Sequence, residues 1–269
     1  MFAQKHAIVT GGSSGIGKAT AQLLASFGSN ITIIARDCSK LEAAKAEIEA
    51  KCLHSNQQVI ALSADIADRL QANRAIDTAI KHNGLPSLLV NSAGIAHPGY
   101  FQELPIEVFK QTMAVNYFGA LYCIKAVLPA MERNSHIVLV SSGAGLIGIY
   151  GYSAYSPSKF AVRGLAESLR GELKDLGVGI SIIYPPDTDT PQLEEENKTK
   201  PPETKLITAT AKIWSAEAVA KEIVKGIEKK TFAIAPGLEI SVLAKFHSLI
   251  APGLNYYFDR LVAKSKISK

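Results

Sequence analysis

"HAIVTGGSSGIGKATAQLLASFG", residues 6–28, decides how the rest of this 269-residue sequence is read. An apolar run that suits a strand buried on both faces leads into closely spaced glycines and a serine pair. Apolar residues at helical spacing follow, and Gly28 closes the pattern as a helix C-cap. Glycines at 11, 15 and 17 let the backbone turn tightly and come close to a diphosphate, which then sits on the free N–H groups of a helix N-terminus. A glycine-rich turn alone is a weak signal. With a strand before it and a helix after it, it reads as a dinucleotide-binding turn, against the alternative of a tight turn that holds no ligand. Gly11, Ser13, Ser14, Gly15, Ile16 and Gly17 are therefore candidate cofactor-binding residues.

Working outward, the same alternation repeats. Strand patterns at 30–36, 59–66, 85–94, 136–142 and 178–186 alternate with helical patterns at 40–52, 108–132 and 154–174. Runs of β-branched and aliphatic residues separated by helices imply parallel strands buried on both faces. Right-handed crossovers then give an α/β fold with a doubly wound, Rossmann-type parallel sheet. One domain is expected over about residues 1–235, with a helical C-terminal extension over 236–269.

The ends of the strands carry the cofactor contacts. A carboxylate at the end of the second strand selects NAD through the ribose hydroxyls. Here the strand ends Ala35-Arg36-Asp37. Arg36 suits a 2′-phosphate, which predicts NADP(H), with Ser13 and Ser14 adding hydroxyls; Asp37 taking the ribose is the rival. Asp65, with Ile66, follows the third strand and either reaches the adenine amino group or caps a helix. Asn91, Ala93 and Gly94 close the fourth strand, where small residues let a cofactor lie flat.

Composition narrows the partners. The sequence is 47% hydrophobic and 20% charged, with a net charge of +5. No dense Lys/Arg run occurs before the C-terminus, so no nucleic-acid partner is expected. Cys38, Cys52 and Cys123 are scattered and the histidines lack ligand spacing, so reduced thiols in a cytoplasmic protein and no metal site are expected. The first strand begins almost at once, which argues against a leader or an N-terminal anchor. No uncharged apolar run reaches the ~18 residues that span a bilayer.

"SAYSPSKF", residues 153–160, holds Tyr155 and Lys159 one helical turn apart, with Pro157 acceptable in the first turn. Reducing a ketone adds hydride to carbon and a proton to oxygen. A free tyrosine, with a pKa of about 10, is a slow acid at neutral pH. A neighbouring ammonium is expected to lower that pKa by stabilising the phenolate. Ser142 closes the fifth strand and is expected to hydrogen-bond the carbonyl oxygen. Asn116, a poor mid-helix residue, is expected to hold Lys159 through water.

With Thr10-Gly11, Gly15, Gly17, Asn91-Ser92-Ala93-Gly94, Asn116, Ser142, Tyr155 and Lys159 in this order, the sequence resembles the short-chain dehydrogenase/reductase family over about residues 5–230. Ser92 stands where the family often has a second Asn. The resemblance implies an NAD(P)-dependent oxidoreductase with Asn116, Ser142, Tyr155 and Lys159 as its catalytic residues, and Tyr155 and Lys159 also contacting the cofactor. It implies a homodimer or homotetramer packed through the two long helices. In the family a Pro-Gly turn and a Thr after the sixth strand touch the nicotinamide end. Here Pro185-Pro186 replaces Pro-Gly, and Thr188 and Thr190 fill the Thr positions. The stretch "YPPDTDTPQLEEENKTKPPET", residues 184–204, then begins a mobile substrate lid over about 187–212 rather than part of a core. Together with residues 141–173 it is similar to a subgroup that reduces the ketone of a long-chain sphingoid base with NADPH. Asp187, Asp189 and Glu194 to Glu196 either attract the cationic amine of such a substrate or merely solubilise the lid. A carbonyl reductase acting on another lipid, steroid or xenobiotic, and a nucleotide sensor without catalysis, stay open.

The C-terminal extension reads as two helices split by Pro252-Gly253. Apolar stripes run through Leu243, Phe246 and Ile250 and through Leu254, Tyr257, Phe258, Leu261 and Val262, beside basic Arg260, Lys264, Lys266 and Lys269. It either lies peripherally on an anionic membrane surface or packs on the oligomer or substrate pocket.

Overall fold

The computed structural model describes residues 2–209 and 212–267. In chain order the elements are β1 (His6–Thr10), α1 (Gly15–Ser26), β2 (Asn30–Ala35), α2 (Cys38–Glu49), β3 (Val59–Ser63), α3 (Arg69–Asn83), β4 (Pro86–Asn91), α4 (Ile106–Met113), α5 (Gly119–Val127), β5 (His136–Val140), α6 (Tyr155–Leu176) and β6 (Gly179–Ile183). There follow β7 (Thr188–Asp189), α7 (Pro191–Thr199), α8 (Pro202–Thr208), β8 (Trp214–Ser215), α9 (Ala216–Glu228), β9 (Ala233–Ile234) and α10 (Gly237–Ile267). The main sheet is parallel, in the order β3-β2-β1-β4-β5-β6-β9. The doubly wound expectation therefore holds. β9, only two residues long, and the small β7–β8 pair are too short for periodicity to reveal.

Alternation along the strands fills two cores. Ile8, Leu89, Ile137 and Leu139 face α3, α5 and α6, where Ile76, Ile124 and Val162 meet them. Val9, Ile33, Val90 and Val138 face α1, α2 and α9, against Leu24, Ile48 and Ile223. Each such side chain is worth about 1.5–3 kcal/mol when fully buried. Two strand histidines are buried with partners: His6 bonds the Thr32 hydroxyl at 2.9 Å and His136 the Ser181 hydroxyl at 2.8 Å.

The long helix expected over 108–132 is interrupted. A π-helical turn, Ala114–Phe118, joins α4 to α5, and a 3-10 turn, Leu128–Ala130, ends it. The run Ile106–Ala130 is long and apolar enough by composition to cross a membrane. Cys123, Ile124 and Val127 within it pack into the core beneath the sheet.

Two expectations change. The stretch after β6 joins the core instead of standing off it: α7 and α8 begin with prolines at their first positions, and Leu193, Glu196, Glu203, Thr204 and Ile207 are buried. Proline preset at the first helical position, with Thr190 capping α7, explains why a proline-rich stretch is helical here. The C-terminal helix breaks at Phe246 (φ −125°), not at Pro252-Gly253, and Pro252 lies within helix. Ile240, Leu243 and Ala244 of α10 pack on the core, and α10 leans on α8. Leu238, Phe246 and Leu249 are exposed, as are Tyr256 and Tyr257. Positions 210 and 211 of the expected lid, the side chain of Lys266, and Lys269 lie outside what is described.

Candidate active site

The carboxyl ends of β1 and β4, where the strand order reverses, open into a cleft of about 340 Å³. Gly11 begins its floor at φ +67°, and a Cβ there would lie 2.7 Å from Ala93 Cα and N, so only glycine lets the two strand ends meet. Thr10 ties the same ends: its hydroxyl donates to Asn91 Oδ1 at 3.4 Å and accepts from Ala93 N at 3.3 Å. Gly17 does not line the cleft. A Cβ on it would stand 2.4 Å from Gly11 O, so it permits the helix to close on its own turn. Ser14 is the N-cap of α1 but makes no side-chain cap bond.

Gly11, Ser13, Ser14, Gly15, Ile16, Arg36, Asp65, Ile66, Ala93 and Gly94 all line this cleft, as do Pro185, Thr188 and Thr190. Asn91 does not. It is 4% exposed, with Nδ2 lacking a partner, and its role visible here is to hold Thr10. Arg36 and Asp37 both line the cleft, and they differ in hydrogen bonding. Asp37 caps α2 by accepting from Lys40 N at 3.0 Å, while Arg36 has no acid partner in the described structure. Lys40 also lines this end of the cleft and was not singled out in the sequence. Asp65 is not the cap of α3, which is Asp68; it accepts from Ala67 N in a local turn.

This floor fits a dinucleotide. Uncapped helix N–H groups face a turn with no room for a Cβ, and the exposed Arg36 guanidinium lines the same cleft.

At the other end stand the reacting groups. Tyr155 is the first residue of α6, so Lys159 one turn on shares its face, with Nζ 5.5 Å from the ring centroid. Lys159 Nζ donates to Val140 O at 3.0 Å, which aims it along the end of β5. Pro157 falls in the first turn of α6, where its missing N–H costs nothing. The Ser142 hydroxyl accepts from Ala144 N at 3.1 Å, and Ser142 and Gln192 both act on the Tyr155 phenol so as to lower its pKa.

The electrostatics differ from expectation. Burial, then the Glu196 carboxylate, push the Tyr155 phenol above its ordinary value; the Ser142 and Gln192 hydrogen bonds only partly offset them. Lys159 does not lead this balance. Its own ammonium is driven down to about 8 by burial, with Glu196 opposing. Low dielectric outweighs the attraction of like-buried neighbours when the charged form must be desolvated. The phenol is consequently held protonated, the form that a proton donor requires.

Asn116 sits in the π-helical turn, which explains its presence mid-helix. Its Oδ1 accepts from Ile95 N at 2.8 Å, and Nδ2 donates to Ile95 O and to the Ser158 hydroxyl at 3.0 and 2.9 Å. It does not bond Lys159. The two approach across Gly94, where a Cβ would lie 3.2 Å from Asn116 Oδ1 and 3.3 Å from Lys159 Nζ.

The stretch after β6 roofs the cleft. Thr190 Cγ2 would lie 2.9 Å from a Cβ on Gly15, so the phosphate turn and the roof nearly touch. Of the five acids singled out there, Asp187 and Glu196 line the cleft, whereas Asp189, Glu194 and Glu195 are exposed. Tyr152 and Gln192 also line it. Neither belongs to a spacing pattern, because each is brought in by the loop before α6 or by the roof.

The short chain dehydrogenase family profile matches residues 5–201. The chain is 46% identical over 235 residues to a 3-dehydrosphinganine reductase of Danio rerio, covering 86% of this chain and 71% of that one. Among solved structures it resembles a short chain dehydrogenase from Burkholderia cenocepacia J2315 in complex with NADP, with TM-score 0.76, 27% identity and coverage of 87% and 97% of the two chains. A short chain dehydrogenase/reductase from Burkholderia phymatum in complex with NAD matches with TM-score 0.80, 25% identity and coverage of 94% and 96%.

Proposed function

The chain belongs to the short chain dehydrogenase family, and from that premise we propose that it reduces the ketone of a long-chain 3-keto amine, 3-ketodihydrosphingosine (3-dehydrosphinganine), with NADPH. The observation that carries this reading is the convergence of Ser142, Tyr155 and Lys159 on one cleft with the glycine turn and Arg36. The named relative supplies the substrate class.

In this reading Gly11 to Gly15 and the α1 N-terminus hold the cofactor's diphosphate, and Arg36 holds its 2′-phosphate. Asp65 and Ile66 border the adenine side, and Ala93, Gly94, Pro185, Thr188 and Thr190 border the nicotinamide side. NADPH supplies the hydride that adds to the ketone carbon. The Tyr155 hydroxyl donates its proton to the ketone oxygen, and Ser142 orients that oxygen by a hydrogen bond. The Lys159 ammonium stabilises the phenolate left behind until solvent restores its proton. General acid catalysis of this kind contributes about 10²–10⁴ in rate. Asn116 positions the turn over Ile95 and the start of α6 through Ser158. The segment over about 187–212 acts as the lid that excludes water.

The C-terminal helix, through its contact with α8, backs that lid, while its exposed residues leave a peripheral membrane contact open to test. Pairing into a homodimer or homotetramer through the α4–α5 and α6 helices is supported by exposed Ile106, Phe118 and Phe160. Free thiols at Cys38, Cys52 and Cys123 are in keeping with a cytoplasmic protein.

The test is NADPH oxidation by the purified protein with 3-ketodihydrosphingosine beside a panel of simple ketones, steroids and aldehydes. Preferred turnover of the sphingoid ketone is expected. Preference for another carbonyl would reassign the substrate, and no turnover of any carbonyl would leave a nucleotide-binding protein without this activity.

A further inference from the structure

We infer that Glu196 binds the ammonium group of the substrate, on the carbon next to the reacting ketone, and so selects amino ketones over neutral ones. The inference rests on the reading that the substrate is a long-chain 3-keto amine. Glu196 lies on α7, in the roof of the cleft, and its side chain is among the few buried carboxylates of the chain. One oxygen accepts from the Tyr152 hydroxyl at 2.6 Å and the other from Gln192 Nε2 at 2.8 Å. Each carboxylate oxygen has two acceptor sites, so this arrangement fixes the group while leaving capacity for another donor.

What Glu196 lacks is an ion pair: the Lys159 ammonium lines the same cleft and acts on it only at a distance. No basic side chain pairs with Glu196 among the described residues, and Lys159 spends its bond on Val140 O. A buried carboxylate with no cation in contact is costly to keep, and a cationic ligand in contact lowers that cost. The other acids of the roof do not fit as well. Asp187 lies in the cleft under the influence of the Lys200 ammonium, Glu195 pairs with Lys198, and Asp189 and Glu194 face solvent.

Position ties the carboxylate to the chemistry. Gln192, bonded to Glu196, also acts on the Tyr155 phenol, and the Tyr152 ring that holds Glu196 lies 5.5 Å from the Tyr155 ring. A cation at Glu196 therefore stands one side chain away from the group that protonates the ketone oxygen. Glu196 and Tyr155 both line the same cleft, as an amine and a ketone on adjacent carbons require. The bound ammonium also cancels a negative charge that opposes phenolate formation at Tyr155 and so favours proton transfer.

The experiment compares, in the wild-type protein and in Glu196→Gln, kcat/KM for 3-ketodihydrosphingosine, its N-acetyl derivative and the same-chain 3-ketone without the amine. A charge-assisted contact predicts a wild-type preference of about ten- to a hundredfold for the free amine, collapsing to within about threefold in E196Q. An equal preference in both proteins, or none in the wild type, overturns the assignment. NADPH binding by E196Q confirms that the variant is folded. Should it not fold, a second measurement decides: a long-chain primary amine must inhibit the wild type about tenfold or more tightly than the matching alcohol, and equal inhibition overturns the assignment. This inhibition is read on whichever ketone the protein turns over. Failure to reduce the sphingoid ketone thus rejects the substrate while the role of Glu196 is still decided.

Discussion

Two residues at the end of β2 divide their work by hydrogen bonding. Asp37 is used as a helix cap, a role worth about 1 kcal/mol, which leaves Arg36 as the charge that we propose holds the 2′-phosphate. Arg36→Asp is expected to shift the ratio of kcat/KM for NADPH over NADH toward NADH by about ten- to a hundredfold. An unaltered ratio would remove Arg36 from the account. Lys159 gives a pH dependence. Burial lowers its pKa to about 8, so the ammonium is full below that value and is lost as pH rises through it. The rate of ketone reduction should accordingly fall above about pH 8; a profile flat to the ordinary lysine range near 10.4 would contradict the burial argument. Tyr155 and Lys159 were legible in the sequence because their spacing defines a helix face. The direction of the phenol's shift was not, since it depends first on burial and then on Glu196, forty-one positions along the chain, both set only by the fold.

At the level of elements, the tight turn into α1 was legible because backbone geometry there demands glycine, although Gly17 serves the turn itself and does not line the cleft. Gly17→Ala is expected to weaken NADPH binding at least tenfold, since its Cβ would meet the Gly11 carbonyl oxygen at 2.4 Å and backbone must move; binding measured by cofactor fluorescence checks this. The roof was misread. Its prolines and acids suggested a segment unable to pack, yet Thr190 followed by Pro191 is a helix-start signal, with a cap side chain bonded to Leu193 N at 3.3 Å. Thr190→Ala should destabilise α7 by about 1 kcal/mol, seen as faster amide exchange over 191–199 than in the wild type. Unchanged exchange there would show that the cap does not hold the roof. The break in α10 at Phe246 had no sequence signal, whereas Pro252, which did, sits inside helix. The π-helical turn was also hidden, because periodicity cannot register one inserted residue beside Asn116.

For the whole molecule, the doubly wound parallel sheet followed from alternating patterns and the handedness of crossovers, and only strands of two residues escaped. Stability should depend on pH through the buried strand histidines. Burial, aided by Lys230, holds His136 down to about 4, and a Cβ on Gly179 would lie 2.3 Å from its ring, so the imidazole has no room to rehydrate in place. Between about pH 6.5 and 4 the unfolded chain binds the proton and the folded chain does not. This contribution is complete above about 6.5 and is lost as pH falls toward 4, on the order of 2–3 kcal/mol. Urea unfolding across that range checks it, and a His136→Gln variant should show a shallower decline. Equal slopes would place the acid sensitivity elsewhere.

The central claim, that the Tyr155 hydroxyl protonates a ketone in a cleft built for NADPH, is tested most directly by Tyr155→Phe. Single-turnover reduction of 3-ketodihydrosphingosine, or of whichever carbonyl the wild type prefers, should fall by about 10²-fold or more while NADPH affinity stays within about threefold. Reduction at the wild-type rate with the hydroxyl gone would contradict the account.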